Sequence, residues 1–507
     1  MLRMIDRLLD RITMYRLVLY YLLGLILAAI GLSVFGVLAF SPWHILLSTI
    51  ILVVTCWVVN KIFAAILRIP TNPESTHITA LILALIITPV GLEGLSIGFL
   101  LAAAGLAITS KYLLTIHKQH LFNPAAIAVV LTALGPHQSA SWWVGTRSLI
   151  PFVLIGGILV VRKLQRGRMV VTFFASALSA SIIYTLLTHG SVPTMLHNTL
   201  TTSAMFFLGF VMLTEPLTTP PTARKQIWYA LLVGLLFPPQ AHILHLYATP
   251  ELALVAGNIF SCLLSPKVKL TPKINQKLKL TPDCVDFVFE PGRQFSYQPG
   301  QYMEWTLPHE QMDSRGARRY LTLASSPTES TIRIGVKFYE HGSSFKQTLL
   351  ALQPHTPIAA AGLAGDFVLP KDQHQKLVFI AGGIGITPYR SMIKYLIDKD
   401  ERRPVILIYA ARTPADFAYR DIFEQAREKL GVQTHYMVSS RSAGLAHPFE
   451  RHGRITEAML RSTVPDYLER AFYISGTQSM VAAMKDMLQA MGIPDNQVKR
   501  DFFSGYS

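Results

Sequence analysis

The chain has only three cysteines, Cys56, Cys262 and Cys284, in 507 residues. Three thiols cannot supply a four-thiolate iron–sulfur cluster, and they imply no disulfide framework. Charge is scarce too: 15% of the residues are Asp, Glu, Lys or Arg, against 51% hydrophobic. That balance is too apolar for an ordinary soluble protein. The scarcity is uneven, however. Up to about Leu264 the chain is a series of long apolar runs with very few carboxylates, and from Lys267 on charges, Gly and Pro recur regularly. No small-residue cleavage site follows the first apolar run, so a signal anchor is expected rather than a cleaved signal peptide.

The formal net charge of +16 does not point to nucleic acid. In the first half the basic residues collect at the ends of apolar runs, as membrane topology requires. A span needs about 20 apolar residues. Candidates lie near 17–35, 45–66, 77–90, 95–113, 123–135, 148–161, 169–188, 200–214, 227–245 and 250–265. Arg3 to Arg16, Lys61 with Arg68, Lys111 with Lys118, Arg162 to Arg168, and Arg224 with Lys225 then fall on one side, with Arg147 the exception. About ten spans with both termini in the cytoplasm fit this pattern.

Two stretches of this half look like more than connectors. HKQHLFNPAAIAV (117–129) and FFLGFVMLTEPLTTPPT (206–222) each set a Pro directly after a polar residue, at Asn123-Pro124 and Glu215-Pro216. Pro fits the first turn of a helix, and a helix N-terminus attracts anions. Such ends could hold a phosphate or the edge of a flavin ring. The plain alternative is that Asn123 and Glu215 satisfy backbone groups in loops.

SKYLL (110–114) with HLFNPAAIAVVL (120–131), TEPLTTPPT (214–222) and, more weakly, WWVGTRS (142–148) carry a resemblance. They resemble the Rnf complex D subunit and the B subunit of the sodium-pumping NADH:quinone oxidoreductase, over about residues 70–225. That family carries FMN on a Thr in a Ser-Gly-Ala-Thr context, which is missing here. The resemblance therefore implies non-covalent FMN, or a domain without flavin.

From Lys267 to about Gln375 short alternating runs such as STIRIGVKFY (330–339) suggest a small antiparallel barrel. Within it, Arg319 and Thr322 stand three apart, suited to a pyrophosphate and a flavin ring edge. In FYEHGSSFKQTLL (338–350) a strand ends, Gly342 turns, and Ser343 or Ser344 caps a helix whose N-terminus suits an anion. From Leu377 strands alternate with helices. KLVFIAGGIGITPYRSM (376–392) is an apolar strand, a Gly-rich turn and a helix. PVILIYAART (404–413), THYMVSS (434–440) and AFYISGTQSM (471–480) each end a further strand. Such alternation implies a doubly wound parallel sheet with ligand at the carboxyl ends of its strands.

Together these motifs resemble the ferredoxin–NADP reductase family over essentially all of 267–507. The resemblance implies FAD and NAD(P)H. Its first flavin motif falls on Arg319, Tyr320, Leu321 and Thr322, with Leu321 in place of an aromatic residue, and its second on Gly342, Ser343 and Ser344. Its nicotinamide-nucleotide motif falls on Gly382, Gly383, Gly385, Thr387 and Pro388. Ser475-Gly476 stands where the family has Cys-Gly near the hydride-transfer site, so Thr322 and Ser475 are the expected catalytic residues. Arg412, Ser440 and Arg441 close the second and third strands, where the family's NADP enzymes often place a Ser and an Arg. Phe502, Phe503 and Tyr506 offer a terminal aromatic to cover the flavin, with Phe503 the candidate.

The expected architecture is a polytopic α-helical membrane domain (1–266), an antiparallel β-barrel FAD domain (267–375) and an α/β NAD(P) domain (376–507). The expected function is a membrane-bound flavoprotein oxidoreductase of the cell membrane, its FAD/NAD(P) module in the cytoplasm. It would pass electrons from NAD(P)H through FAD to a second flavin, a quinone or a redox protein, with further membrane subunits as candidate partners. One rival is a haem-containing ferric or oxygen reductase, for which His117, His120, His189, His197, His242 and His245 lie mostly near loops. Another is a transporter or anchor without a redox centre, fused to the reductase.

Overall fold

The computed structural model describes Ile5, Leu9 and residues 12–67, 73–92, 94–116, 119–135, 138–243, 246–265, 269–293, 295–310, 312–313, 316–340, 342–440, 444–445 and 448–501. The candidates His117, His245, Arg441, Phe502, Phe503 and Tyr506 lie outside the described residues. The chain forms two compact units, which divide at residue 268.

The first unit is helical. Helices α1 (Met14–Val34), α2 (Pro42–Leu67), α3 (Pro73–Ile86) and α4 (Gly94–Leu113) lead to a pair of two-residue strands, β1 (Thr115–Ile116) and β2 (Gln119–His120). Next come α5 (Pro124–Leu134), α6 (Ile150–Leu164), α7 (Gly167–Leu187), α8 (Val192–Thr201) and α9 (Met205–Phe207), which runs on into a π turn over Leu208–Met212. Helix α10 (Ala223–Leu235), a second strand pair, β3 (His242–Ile243) and β4 (Leu246–Tyr247), and α11 (Pro250–Leu264) complete the unit.

Among the described residues four helices are long and apolar enough to cross a membrane: Met14–Val34, Pro42–Leu67, Ser96–Leu113 and Gly167–Leu187. Several of the other runs hold less helix than the sequence suggests. The run 123–135 holds an 11-residue helix, roughly 16 Å at 1.5 Å per residue, against a hydrocarbon core of about 30 Å. The run 200–214 is broken after Thr201, and 227–245 stops being helical at Leu235, ahead of Pro238-Pro239. Helices α5 and α11 start alike. Each follows a strand pair, and each has a polar N-cap whose side chain accepts a backbone N–H, Asn123 or Thr249, with Pro next. The two helices meet where Asn123 N donates to Asn258 Oδ1 at 2.8 Å.

The second unit opens with β5 (Lys269–Leu270), β6 (Lys273–Thr281), β7 (Cys284–Glu290), β8 (Tyr302–Thr306), β9 (Arg318–Thr322), β10 (Ile332–Lys337), helix α12 (Ser344–Ala351) and β11 (Ala359–Ala364). In β10, Ile332, Ile334 and Val336 are buried and the residues between them are half-buried, as period-two alternation dictates. The strands form two antiparallel sheets, ordered β10-β7-β6 and β5-β11-β8-β9, rather than one closed ladder among the described residues. The Phe289 and Trp305 rings, 5.0 Å apart, bridge them.

The α/β lobe follows. Strands β12 (Leu377–Gly382), β13 (Val405–Ala411), β14 (Gln433–Val438), β15 (Glu450–His452), β16 (Ala471–Ser475) and β17 (Val498–Asp501) form one sheet, ordered β15-β14-β13-β12-β16-β17, with every pair parallel. Strands β15 and β17 extend the sheet beyond the four strand ends read from sequence. Helices α13 (Thr387–Lys399), α14 (Arg420–Leu430), α15 (Glu457–Thr463) and α16 (Gln478–Ala490) connect the strands. Tyr389, Tyr409, Tyr436 and Phe423 fill one face of the sheet, and Ile380, Ile408, Ile474 and Leu488 fill the other. The chain moves outward from β12 to β15, then returns to place β16 on the other side of β12. That reversal opens a crevice at the strand ends, where doubly wound sheets take their ligands.

Candidate functional site

At that crevice the backbones after β12 and β16 cross closely. A Cβ on Gly385 would lie 2.6 Å from Gly476 N and 2.7 Å from the Ser475 carbonyl carbon. A Cβ on Gly382 would lie 2.2 Å from Met480 Sδ. Gly383 has a φ of +52°, in the left-handed region. Thr387 opens α13, its hydroxyl donating to Ile384 O at 3.2 Å, and Pro388 follows in the first turn. Two strands along, Ser440 N donates to Arg412 O at 3.0 Å, so these two candidates share one end of the crevice.

Ser475 ends β16. Its hydroxyl donates to Asp501 Oδ2 at 3.1 Å across the β16–β17 ladder. Burial pushes the Asp501 carboxyl up to about 7. No motif in the sequence points to Asp501. Its closeness to Ser475 comes from strand adjacency across 26 positions, and no local pattern marks it.

In the barrel region the first flavin motif divides. Successive residues of a strand face opposite ways. Arg319 and Leu321 share one face of β9. Tyr320 is on the other, where its hydroxyl donates to the buried Glu304 at 2.8 Å beside Arg318. Tyr320 thus serves a buried carboxylate on the face away from Arg319. Thr322 is buried opposite Tyr302. The Arg319 guanidinium carbon lies 5.2 Å from the centre of the Phe345 ring in the first turn of α12. Ser343 caps that helix, accepting from Lys346 N, and Gly342 makes the turn before it. Arg319, Ser343 and Ser344 therefore converge. A carboxylate already lies there: Ser344 N donates to Asp313 Oδ2 at 3.0 Å. A helix N-terminus that takes a carboxylate, next to a guanidinium, fits a pyrophosphate.

A buried charge network joins the barrel region to the α/β lobe. Asp286 is fully buried and accepts from Arg333 Nη1 at 3.0 Å and from Tyr419 Oη at 2.9 Å. Burial raises its pKa against the pull of Arg333. Arg390 on α13 grips Glu329 with both terminal nitrogens and donates to Ala324 O at 3.0 Å. A Cβ on Gly335 would meet Tyr419 Oη at 2.7 Å, which shows how closely these parts pack.

In the first unit the two singled-out stretches do meet. Asn123 Nδ2 donates to Glu215 Oε2 at 2.9 Å, while Asn123 Oδ1 caps α5 by accepting from Ala126 N at 3.1 Å. His120 Nε2 lies 3.5 Å from Glu215 Oε1. Asn123 and Glu215 both line a cavity, together with Val18, Ile78, Thr79 and Thr214. The π turn, a backbone irregularity often found at functional sites, ends three residues before Glu215.

Residues 379–486 match the family model of the oxidoreductase NAD-binding domain. A flavohemoprotein of Oceanobacillus iheyensis is 28% identical over 46% of this chain and 58% of its own length. The glycine betaine monooxygenase reductase subunit of Chromohalobacter salexigens is 26% identical over 41% of this chain and 56% of its own. The chain thus spans somewhat over half the length of these relatives. Among solved structures, the Amycolatopsis cytochrome P450 reductase GcoB aligns with a TM-score of 0.42 at 23% identity, covering 48% of this chain and 71% of that one. A flavohemoglobin of Malassezia yamatoensis aligns at 0.43 and 20% identity, covering 69% and 97%. The second unit is an oxidoreductase module of the ferredoxin–NADP reductase type, which takes FAD and NAD(P)H.

Proposed function

We propose that this protein is a membrane-bound flavoprotein oxidoreductase, passing electrons from NAD(P)H through FAD to an acceptor held by its helical unit. The observation that carries the reading is the Gly385–Gly476 crossing at the end of the parallel sheet, where a side chain at Gly385 would collide with backbone. Such a bare crossing lets a dinucleotide approach the strand ends closely. FAD, when bound, supplies the step a nicotinamide cannot make, accepting a hydride and releasing single electrons.

The chain's own residues divide the work. Arg319 and the N-terminus of α12 neutralise the pyrophosphate of the flavin nucleotide. Thr322 offers a hydroxyl to the ring. Gly382, Gly383, Gly385 and the start of α13 take the diphosphate of NAD(P)H, and Arg412 with Ser440 faces its adenosine end. Ser475 lines the hydride-transfer site with its hydroxyl held by Asp501. In the helical unit, the cavity at Asn123 and Glu215 takes the acceptor, a non-covalent flavin or a quinone. About ten segments enter or cross the bilayer, with both termini and the reductase module on the cytoplasmic side.

Anaerobic titration of the detergent-purified protein with NADH and NADPH, after extraction and quantification of its flavins, tests this reading. One FAD per chain, bleached fully by either nucleotide, is the expected result. Protein that holds no FAD, even after reconstitution, or whose flavin neither nucleotide bleaches, contradicts it.

A further inference from the structure

The contact between Asp313 and α12 has a closed hydrogen-bond pattern. Ser344 N–H donates to Asp313 Oδ2 at 3.0 Å, and Asp313 N–H donates back to Ser344 Oγ at 3.0 Å. His309 fixes the rest. Its Nδ1 lies 2.9 Å from Leu307 O, an acceptor, so Nδ1 carries the proton and Nε2 accepts. The Ser344 hydroxyl, 2.8 Å from that Nε2, is therefore the donor. Every group in the ring has one consistent role. Its net effect is to hold a carboxylate against the first free N–H of α12, 8 residues long. The Arg319 guanidinium stands over Phe345, the next residue.

An orphan N–H at a helix start, a guanidinium near that start and an anion on the N–H are the elements of a phosphate site. Here the anion is supplied by the chain itself. We infer that Asp313 is an internal competitor for the flavin pyrophosphate, so that loading the dinucleotide must displace its carboxylate from Ser344 N–H. This rests on the FAD reading above. Two anions cannot share the one Ser344 N–H without repulsion, so the Asp313 contact and a phosphate contact there exclude each other. Only ligands with a phosphate feel the competition. A flavin without phosphate makes no demand on Ser344 N–H.

The test uses full-length protein stripped of flavin, with Asp313→Ala and Asp313→Asn beside wild type. Flavin fluorescence quenching gives the affinity for FAD and for riboflavin, and displacement of FAD gives that for inorganic pyrophosphate. Loss of an anion from a helix N-terminus predicts roughly two- to fivefold tighter FAD and pyrophosphate binding in both variants, with riboflavin unchanged. His309→Ala, which loosens the ring without touching the carboxylate, shifts FAD affinity the same way by less. Unchanged or weaker FAD binding in Asp313→Ala and Asp313→Asn, at unchanged far-UV circular dichroism, overturns the inference while leaving the FAD site standing. Absence of FAD and pyrophosphate binding in every form overturns both.

Discussion

The two units use polar groups in opposite ways. In the reductase unit charges are common and mostly paired: Asp286 with Arg333, Glu329 with Arg390, Glu450 with Arg420, and Asp466 with Arg470. In the helical unit carboxylates are few, and Glu215 is joined through Asn123, by its side chain and its backbone N–H, to Asn258 and Tyr229. A charge in the first setting holds a lobe in place. An ionisable group in an apolar helical unit is expensive, and its presence there points to a site. The same residue type thus carries different information in the two halves, and each reading can be broken separately.

The largest effect is expected at Asp286. Asp286→Ala leaves Arg333 and the Tyr419 hydroxyl without their shared acceptor in a dry interface. Removing one partner of a buried ion pair costs about 3–5 kcal/mol. Chemical denaturation followed by flavin fluorescence would read the loss, and a change under about 1 kcal/mol would make the network dispensable.

Asp501 gives the next effect, through pH. Its carboxyl in the folded protein titrates at about 7, above the value near 4 of an unfolded chain. Between these values the folded state holds more protons than the unfolded one, so stability falls as pH rises through that window and levels off above it. The slope approaches about 1.4 kcal/mol per pH unit. Asp501→Asn should flatten it, which denaturation at pH 5 and pH 8 would detect.

Gly385→Ala comes third. Its methyl would press on the Gly476 backbone, and overpacking of this kind costs about 1–3 kcal/mol. Flavin reduction by NAD(P)H should slow more than stability falls, because the distorted turn is the one proposed to take the diphosphate. Stopped-flow reduction beside thermal unfolding separates the two. The smallest stability effect belongs to Asn123→Ala, about 1 kcal/mol from a lost helix cap. Its value is in what it does to the acceptor.

How far the sequence could be read follows the same division. Strands β12, β13 and β16 are legible because a parallel strand buried on both faces reads as an apolar run, and Gly or a polar residue ends it, while β14 shows through its Thr, Tyr and Val. Strand β17 and Asp501 are not legible, because Ser475 and Asp501 become neighbours only once the sheet order is set. Tyr320 falls within the four-residue flavin string, yet period-two geometry turns it toward Glu304. In the helical unit hydropathy counts residue types and is blind to backbone continuity. The runs 200–214 and 227–245 therefore look unbroken although helices end within them. Asn123 and Glu215 stood out from the apolar runs around them, and their direct hydrogen bond follows from the packing of segments 92 residues apart.

The most direct test of the account is the reoxidation of reduced FAD in liposome-embedded protein by a membrane quinone, compared between wild type and Asn123→Ala, with ferricyanide as a water-soluble acceptor for reference. The account predicts that the variant is slowed at least tenfold, about 1.4 kcal/mol in the barrier, toward the quinone and hardly at all toward ferricyanide. Equal rates toward both acceptors would separate the helical unit's cavity from the electron path and contradict the central claim.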